Sequence, residues 1–210
     1  MTSSIQALLL LNGVLDLSSC KKIAFFGGSF NPPHLAHYYI AQRAIETLDI
    51  DYVIFLIASQ NQFKEKYIFD FEQRASMTES IIMRLNSNNE LSSSKMLVSR
   101  LEQDILATNS AQVLSYIKSG IDSIIHDTSW QMPELYWLMG ADNLRHFHLW
   151  ENFSYIIENY NIALFNRPGH NLCHTNYSWL LKRDNVFTIQ DTDFNISSSQ
   201  IRAIFTKYLG

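Results

Sequence analysis

Two apolar runs set about 30 residues apart constrain this chain more than any other feature: residues 23–26 (IAFF), ending at Gly27 and Gly28, and residues 52–57 (YVIFLI). Uninterrupted apolar runs of this length suit strands covered on both faces. Between them, Leu35, Tyr38, Tyr39, Ala41, Ile45 and Leu48 recur at helical spacing over residues 33–48. Strand, tight loop, helix and second strand make a βαβ unit, so the two strands are predicted to be parallel.

The alternation continues. Residues 58–69 are polar and read as a loop. Asp70 caps a helix over residues 70–85, with Glu72 and Gln73 well placed in its first turn. Residues 86–94 read as a flexible turn, 96–98 as a strand and 110–118 as a helix. Residues 135–139 (LYWLM) form a strand ending at Gly140, followed by helical pattern over 142–147 and 150–157. Strands over 162–165 and 186–189, a loop over 167–174 and a closing helix over 198–209 complete the order. The predicted fold is α/β, a single Rossmann-like open parallel sheet with helices on both faces.

Composition narrows the setting. With 210 residues, 47% of them hydrophobic, the chain can bury a large core, which excludes global disorder. A net charge of −4 argues against a protein built to coat nucleic acid. Cys20 and Cys173 make no disulfide framework and suit a reducing compartment, so the cytoplasm is expected. The apolar run at residues 5–11 has no Lys or Arg before Lys21 and is broken by Asn12, Gly13 and Asp16, so neither an export signal nor a membrane span is expected from it. Residues 1–20 are read as an N-terminal extension, a short amphipathic helix docked on a domain over 21–210.

Chemistry concentrates at two places. In Gly27-Gly28-Ser29-Phe30-Asn31-Pro32-Pro33-His34-Leu35-Ala36-His37 the glycines open backbone N–H groups to an anion at a helix start. Pro33 suits the first helical turn, and His34 and His37, three apart, share one face and can donate to phosphate oxygens. Neither Gly-x-Gly-x-x-Gly nor a Gly-Lys-Ser/Thr ending is present, so a different nucleotide fold is required. The second place is Asn195-Ile196-Ser197-Ser198-Ser199-Gln200-Ile201-Arg202, where hydroxyls, free N–H groups and an arginine form another phosphate cradle or, alternatively, a serine N-cap with a surface arginine. Two such cradles at the carboxyl ends of parallel strands would bracket one polyphosphate.

GGSFNPPHxxH with a distant ISSSxIR resembles the nucleotidyltransferase superfamily that carries HxGH and ISSTxIR-type motifs. Trp137 to Leu144 (WLMGADNL), then Phe147 and Trp150, are similar to the strand and GADNL segment of nicotinate-mononucleotide adenylyltransferases, and Glu102 with Thr108 echoes that family's middle motif. The resemblance runs from Lys21 to about Phe205. Ala36 stands where the family usually has Gly, and Ala107-Thr108-Asn109-Ser110 where a Tyr-Thr pair is common.

The resemblance implies transfer of adenylate from ATP to nicotinate mononucleotide, giving deamido-NAD and pyrophosphate, with Mg²⁺ accompanying ATP. It implies that Gly27, Gly28, Ser29 and Phe30 line the phosphates, Ser29 being shared with the mononucleotide phosphate. His34 and His37 bind ATP phosphates, His37 at the α-phosphate; Ser197, Ser198 and Arg202 hold the β and γ end; Gly140 and Asp142 face the adenosine ribose. Lys64 lies near the mononucleotide phosphate, and Thr108 and Trp150 contact the pyridine ring, Trp150 by stacking, although composition alone leaves Trp150 equally a core residue. Alternatives are an amide-specific or phosphopantetheine adenylyltransferase of the same superfamily, or a non-catalytic nucleotide- or metal-binding module. For the last, His170, Cys173 and His174 offer three zinc ligands but no clear fourth. Small-molecule substrates are the expected partners, with no nucleic acid or membrane; the residues leave the oligomeric state open.

Overall fold

The computed structural model describes residues 15, 17–59, 68–87, 96–166 and 179–190. Six strands, β1 (Lys22–Gly28), β2 (Tyr52–Ile57), β3 (Met96–Ser99), β4 (Glu134–Gly140), β5 (Asn161–Asn166) and β6 (Val186–Gln190), form one sheet in the order β3-β2-β1-β4-β5-β6. Every neighbouring pair is parallel. Strand order reverses direction between β1 and β4, the position where open α/β sheets leave a crevice at their carboxyl ends.

The helices are α1 (Leu35–Leu48), α2 (Phe71–Ser87), α3 (Leu101–Asp104), α4 (Ser110–Thr128), α5 (Leu144–Phe147) and α6 (Phe153–Asn159), with 3₁₀ turns at Ala141–Asn143 and Leu180–Lys182. They cover both faces, as the alternation requires. Ile23 and Phe25 of β1 pack with Leu114, Ile117 and Ile121 of α4 and with Ile156 of α6. Their neighbours Ala24 and Phe26 face the other way, against Tyr38, Ala41 and Ile45 of α1 and Ala75 and Ile82 of α2. The period of two along a strand thus sends successive side chains into two cores.

Local rules place most boundaries. Asp70 and Gln73 form a reciprocal capping box: the Gln73 N–H donates to Asp70 Oδ1 at 2.8 Å and the Asp70 N–H to Gln73 Oε1 at 3.0 Å. Asn109 caps α4, accepting from the Gln112 N–H at 3.0 Å. α4 runs to Thr128, well past the predicted end near residue 118. Gly120 and the polar residues around it interrupt the sequence pattern, yet Ile117, Gly120, Ile121 and Ile124 keep the buried stripe going. Pro33 lies just outside α1, not in its first turn: His34 is the N-cap, with extended backbone.

Leu15 and Leu17 are buried in the core that also holds Ile23 and Phe25. The Asp51 carboxylate accepts the backbone N–H groups of Lys21 at 2.8 Å and Lys22 at 2.9 Å, fixing the entry to β1 beside the start of β2. Among the described residues no helix is long and apolar enough to cross a membrane.

Candidate functional site

The site begins where two strands part. The β1–β4 pairing ends at Phe26 and Leu138, although both strands run two residues further, to Gly28 and Gly140. On its other side Gly28 still pairs with Ile57, and its carbonyl accepts the Ala58 N–H at 2.9 Å. The chain leaving β1 is therefore held by β2 and open toward β4.

Packing shapes that exit. Phe30 has φ 45°, a left-handed conformation that bulky side chains rarely adopt. Its ring is fully buried, with ring centres 5.6 Å from Phe26, 5.4 Å from Phe55 and 4.9 Å from His37. A Cβ at Gly28 would meet this ring, and a Cβ at Gly27 would collide with the buried Trp137 indole. The two glycines are thus required by aromatic side chains pressing on the loop from inside, beyond any demand of a ligand.

His34 and His37 come together. Their rings stack with centres 3.6 Å apart and planes 22° from parallel, and His34 is almost completely buried. The His34 N–H donates to His37 Nδ1 at 3.1 Å, and the His37 N–H to the His34 carbonyl at 2.9 Å. With Nδ1 accepting, a neutral His37 carries its proton on Nε2, which leaves that edge a donor. The pair stands at a helix start, with His34 buried and His37 half-buried.

Behind the loop stands a residue that sequence reasoning missed. Arg74 of α2 is 1% exposed. Its Nη1 donates to the Ser29 carbonyl at 2.7 Å and to the Ala58 carbonyl at 2.8 Å, and its guanidinium lies 5.5 Å from the Phe71 ring centre. The signal was present: Arg74, Thr78 and Ile82 fall four apart, so a cation sits on the buried stripe of the helix. Glu102 of α3 is buried as well and accepts the Ser59 N–H at 2.8 Å and the Ser59 hydroxyl at 3.1 Å.

Across the crevice, the Asp142 carboxylate folds back so closely over Gly140 that a Cβ there would strike it. Trp150 is half-buried, edge-on to Trp137 at 6.3 Å and to Phe147 at 5.3 Å, so it lies at the margin of the core. Thr108 is exposed, its N–H donating to Gln112 Oε1 at 2.9 Å and its hydroxyl to the same oxygen at 3.3 Å. Asn109 Nδ2 donates to Glu151 at 3.0 Å, which ties the loop bearing Thr108 to the loop bearing Trp150.

Lys64, Ser197, Ser198 and Arg202 lie outside the described residues, as do His170, Cys173 and His174. Among the described residues no group of three or more His, Cys, Asp or Glu side chains is arranged to hold a metal ion.

The profile of the cytidylyltransferase-like family matches residues 25–204. A probable nicotinate-nucleotide adenylyltransferase of Pelagibacter ubique is 31% identical over 186 residues, 87% of this chain and 93% of that protein. The chain belongs to the nicotinate-nucleotide adenylyltransferase family. A second member, from Brucella suis, is 32% identical over 72% of this chain and 70% of its own length. Solved structures agree on the fold of the family. Plasmodium falciparum nicotinic acid mononucleotide adenylyltransferase, complexed with NaAD, superposes with a TM-score of 0.70 at 21% identity, covering 90% of this chain and 85% of that one. A Vibrio parahaemolyticus protein described as a nicotinate-nucleotide adenylyltransferase gives 0.53 at 20% identity, covering 89% and 88%.

Proposed function

We propose that this adenylyltransferase joins ATP to nicotinate mononucleotide, releasing pyrophosphate and forming deamido-NAD, a step of NAD biosynthesis. The observation that carries the reading is the placement of the Gly28–Phe30 backbone and the stacked His34–His37 pair where β1 parts from β4. The substrate identity follows the relatives' names.

A 5′-phosphate oxygen of the mononucleotide attacks the α-phosphorus of ATP, and the bond from that phosphorus to the pyrophosphate oxygen breaks. The nucleophile arrives ionised, so no side chain has to take a proton from it. Catalysis then rests on in-line positioning and on donors facing the charge that builds on the transferring and leaving phosphates. In this reading Gly27, Gly28, Ser29 and Phe30 offer backbone groups, with the Ser29 hydroxyl shared between the reactants. His34 and His37 donate to ATP phosphates, His37 at the α-phosphate, while Ser197, Ser198 and Arg202 hold the leaving pyrophosphate. Gly140 and Asp142 face the ribose of ATP. Lys64 neutralises the mononucleotide phosphate, and Thr108 and Trp150 border the pyridine ring. Mg²⁺ enters as the complex of ATP, part of the substrate. The reaction needs neither nucleic acid nor membrane, and the buried reduced thiol of Cys20 fits a cytoplasmic enzyme.

The experiment is pyrophosphate release from Mg·ATP with nicotinate or nicotinamide mononucleotide as acceptor. Release with the acid at a kcat/KM at least tenfold above the amide is expected. Preference for the amide, or no release with either, contradicts the proposal.

A further inference from the structure

A peptide group carries its C=O and N–H on opposite edges when the bond is trans. The peptide between Ala58 and Ser59 is gripped on both: its carbonyl accepts from Arg74 Nη1 at 2.8 Å, and its N–H donates to Glu102 Oε1 at 2.8 Å. The same Nη1 reaches a second peptide, through the Ser29 carbonyl at 2.7 Å. The other edge of that peptide is the N–H of Phe30. The only cis bond among the described residues is Asn31–Pro32, so the Phe30 N–H points away from Arg74. No acceptor among the described residues takes it.

Charges and dipoles therefore alternate along one chain of hydrogen bonds: the Glu102 carboxylate, a peptide, the Arg74 guanidinium, a second peptide and the N–H of Phe30. Each peptide turns its negative end to the central cation, and hydrogen bonds in such a chain polarise one another. Burying a cation carries a desolvation cost, and two of this cation's short bonds go to carbonyls of the loops that follow β1 and β2. Holding one donor rigid at the phosphate loop is a function that this cost serves.

We infer that Arg74 is a positioning residue for adenylyl transfer, fixing the Ser29–Phe30 peptide so that the Phe30 N–H faces the phosphates. Glu102 anchors the far end of the same chain of bonds. The inference rests on the reaction proposed above and adds to it a residue that touches no substrate.

The test compares the full-length parent with Arg74→Met, Arg74→Lys and Ile82→Ala, the last removing a buried side chain from the same face of α2. Pyrophosphate release from Mg·ATP and nicotinate mononucleotide is followed well below each variant's melting temperature. An inactive parent would overturn the proposed reaction, which separates that failure from this one. With an active parent, Arg74→Met is expected to lose at least tenfold in kcat/KM for ATP, mostly in kcat, since deleting one oxyanion-type donor outright costs about 100- to 1,000-fold. Arg74→Lys, which keeps the cation, is expected between parent and Arg74→Met, and Ile82→Ala within threefold of parent. Arg74→Met within threefold of parent overturns the inference, as does an equal loss in Ile82→Ala. Should Arg74→Met not fold, Arg74→Lys decides: a loss of at least fivefold with an unchanged circular dichroism spectrum supports the inference, and parental activity overturns it.

Discussion

The backbone N–H of His34 donates to Nδ1 of His37 at 3.1 Å while the two imidazoles stack 3.6 Å apart. One ring nitrogen of His37 thus holds the start of α1, and the other is the one that the proposed reaction assigns to the α-phosphate. The two duties separate by mutation. His37→Asn retains an acceptor near the Nδ1 position and loses the outer donor, so it is expected to keep the melting temperature within a few degrees while kcat/KM falls about 100-fold or more. Steady-state kinetics beside a thermal melt checks this, and parental activity in a folded His37→Asn would remove His37 from the reaction.

Gly27 and Trp137 are expected to be coupled. Adding a methyl group at Gly27 drives it into a buried indole that has no room to retreat, an overpacking that costs about 1–3 kcal/mol. Gly27→Ala should lower stability by that amount, and Trp137→Phe on the same background should recover part of it. A double-mutant cycle in urea reads the coupling, expected at about 0.5–3 kcal/mol.

Asn109 serves two partners, the Gln112 N–H and Glu151. Asn109→Ala removes both and should cost about 1 kcal/mol through the lost cap. Asn109→Asp keeps the cap but sets a carboxylate against Glu151. Stability should hold, and the KM for the mononucleotide should rise several-fold with the KM for ATP unchanged, because the loops bearing Thr108 and Trp150 lose their tie.

Alkaline pH should destabilise the fold through Tyr38 and Tyr160. Burial pushes both phenols above the ordinary tyrosine range; at Tyr38 the bond to Thr78 opposes this slightly, and at Tyr160 the nearby Tyr155 and Asp122 add to it. The folded state holds these protons above pH 10, where the unfolded state releases them. Stability from this source is intact below about pH 10 and falls above it, by up to about 1.4 kcal/mol per pH unit for each tyrosine kept neutral. Melting curves between pH 8 and 11, with tyrosinate absorbance, test the sign.

The sheet was legible because buried parallel strands are written as unbroken apolar runs, and the 52–57 run became β2 with the same bounds. The Asp70 cap was legible for a related reason, since Asp and Gln three apart carry their own hydrogen-bonding geometry. α4 was read short because Gly120 and its neighbours lower helical propensity while the tertiary contact of Ile121 and Ile124 restores the helix. Both histidines were legible as candidates, but their stacking was not, because it depends on His34 being a cap and not a helical residue. Arg74 was passed over because charge in a sequence reads as solvent exposure, and only the fold shows which carbonyls surround it.

The most direct test of the central claim is a crystal structure of the protein with Mg²⁺ and a non-hydrolysable ATP analogue. One triphosphate is expected in contact with the Phe30 N–H and His37 at one end and with Ser198 and Arg202 at the other. A triphosphate bound away from His34 and His37, or one that leaves Arg202 beyond its reach, would contradict it.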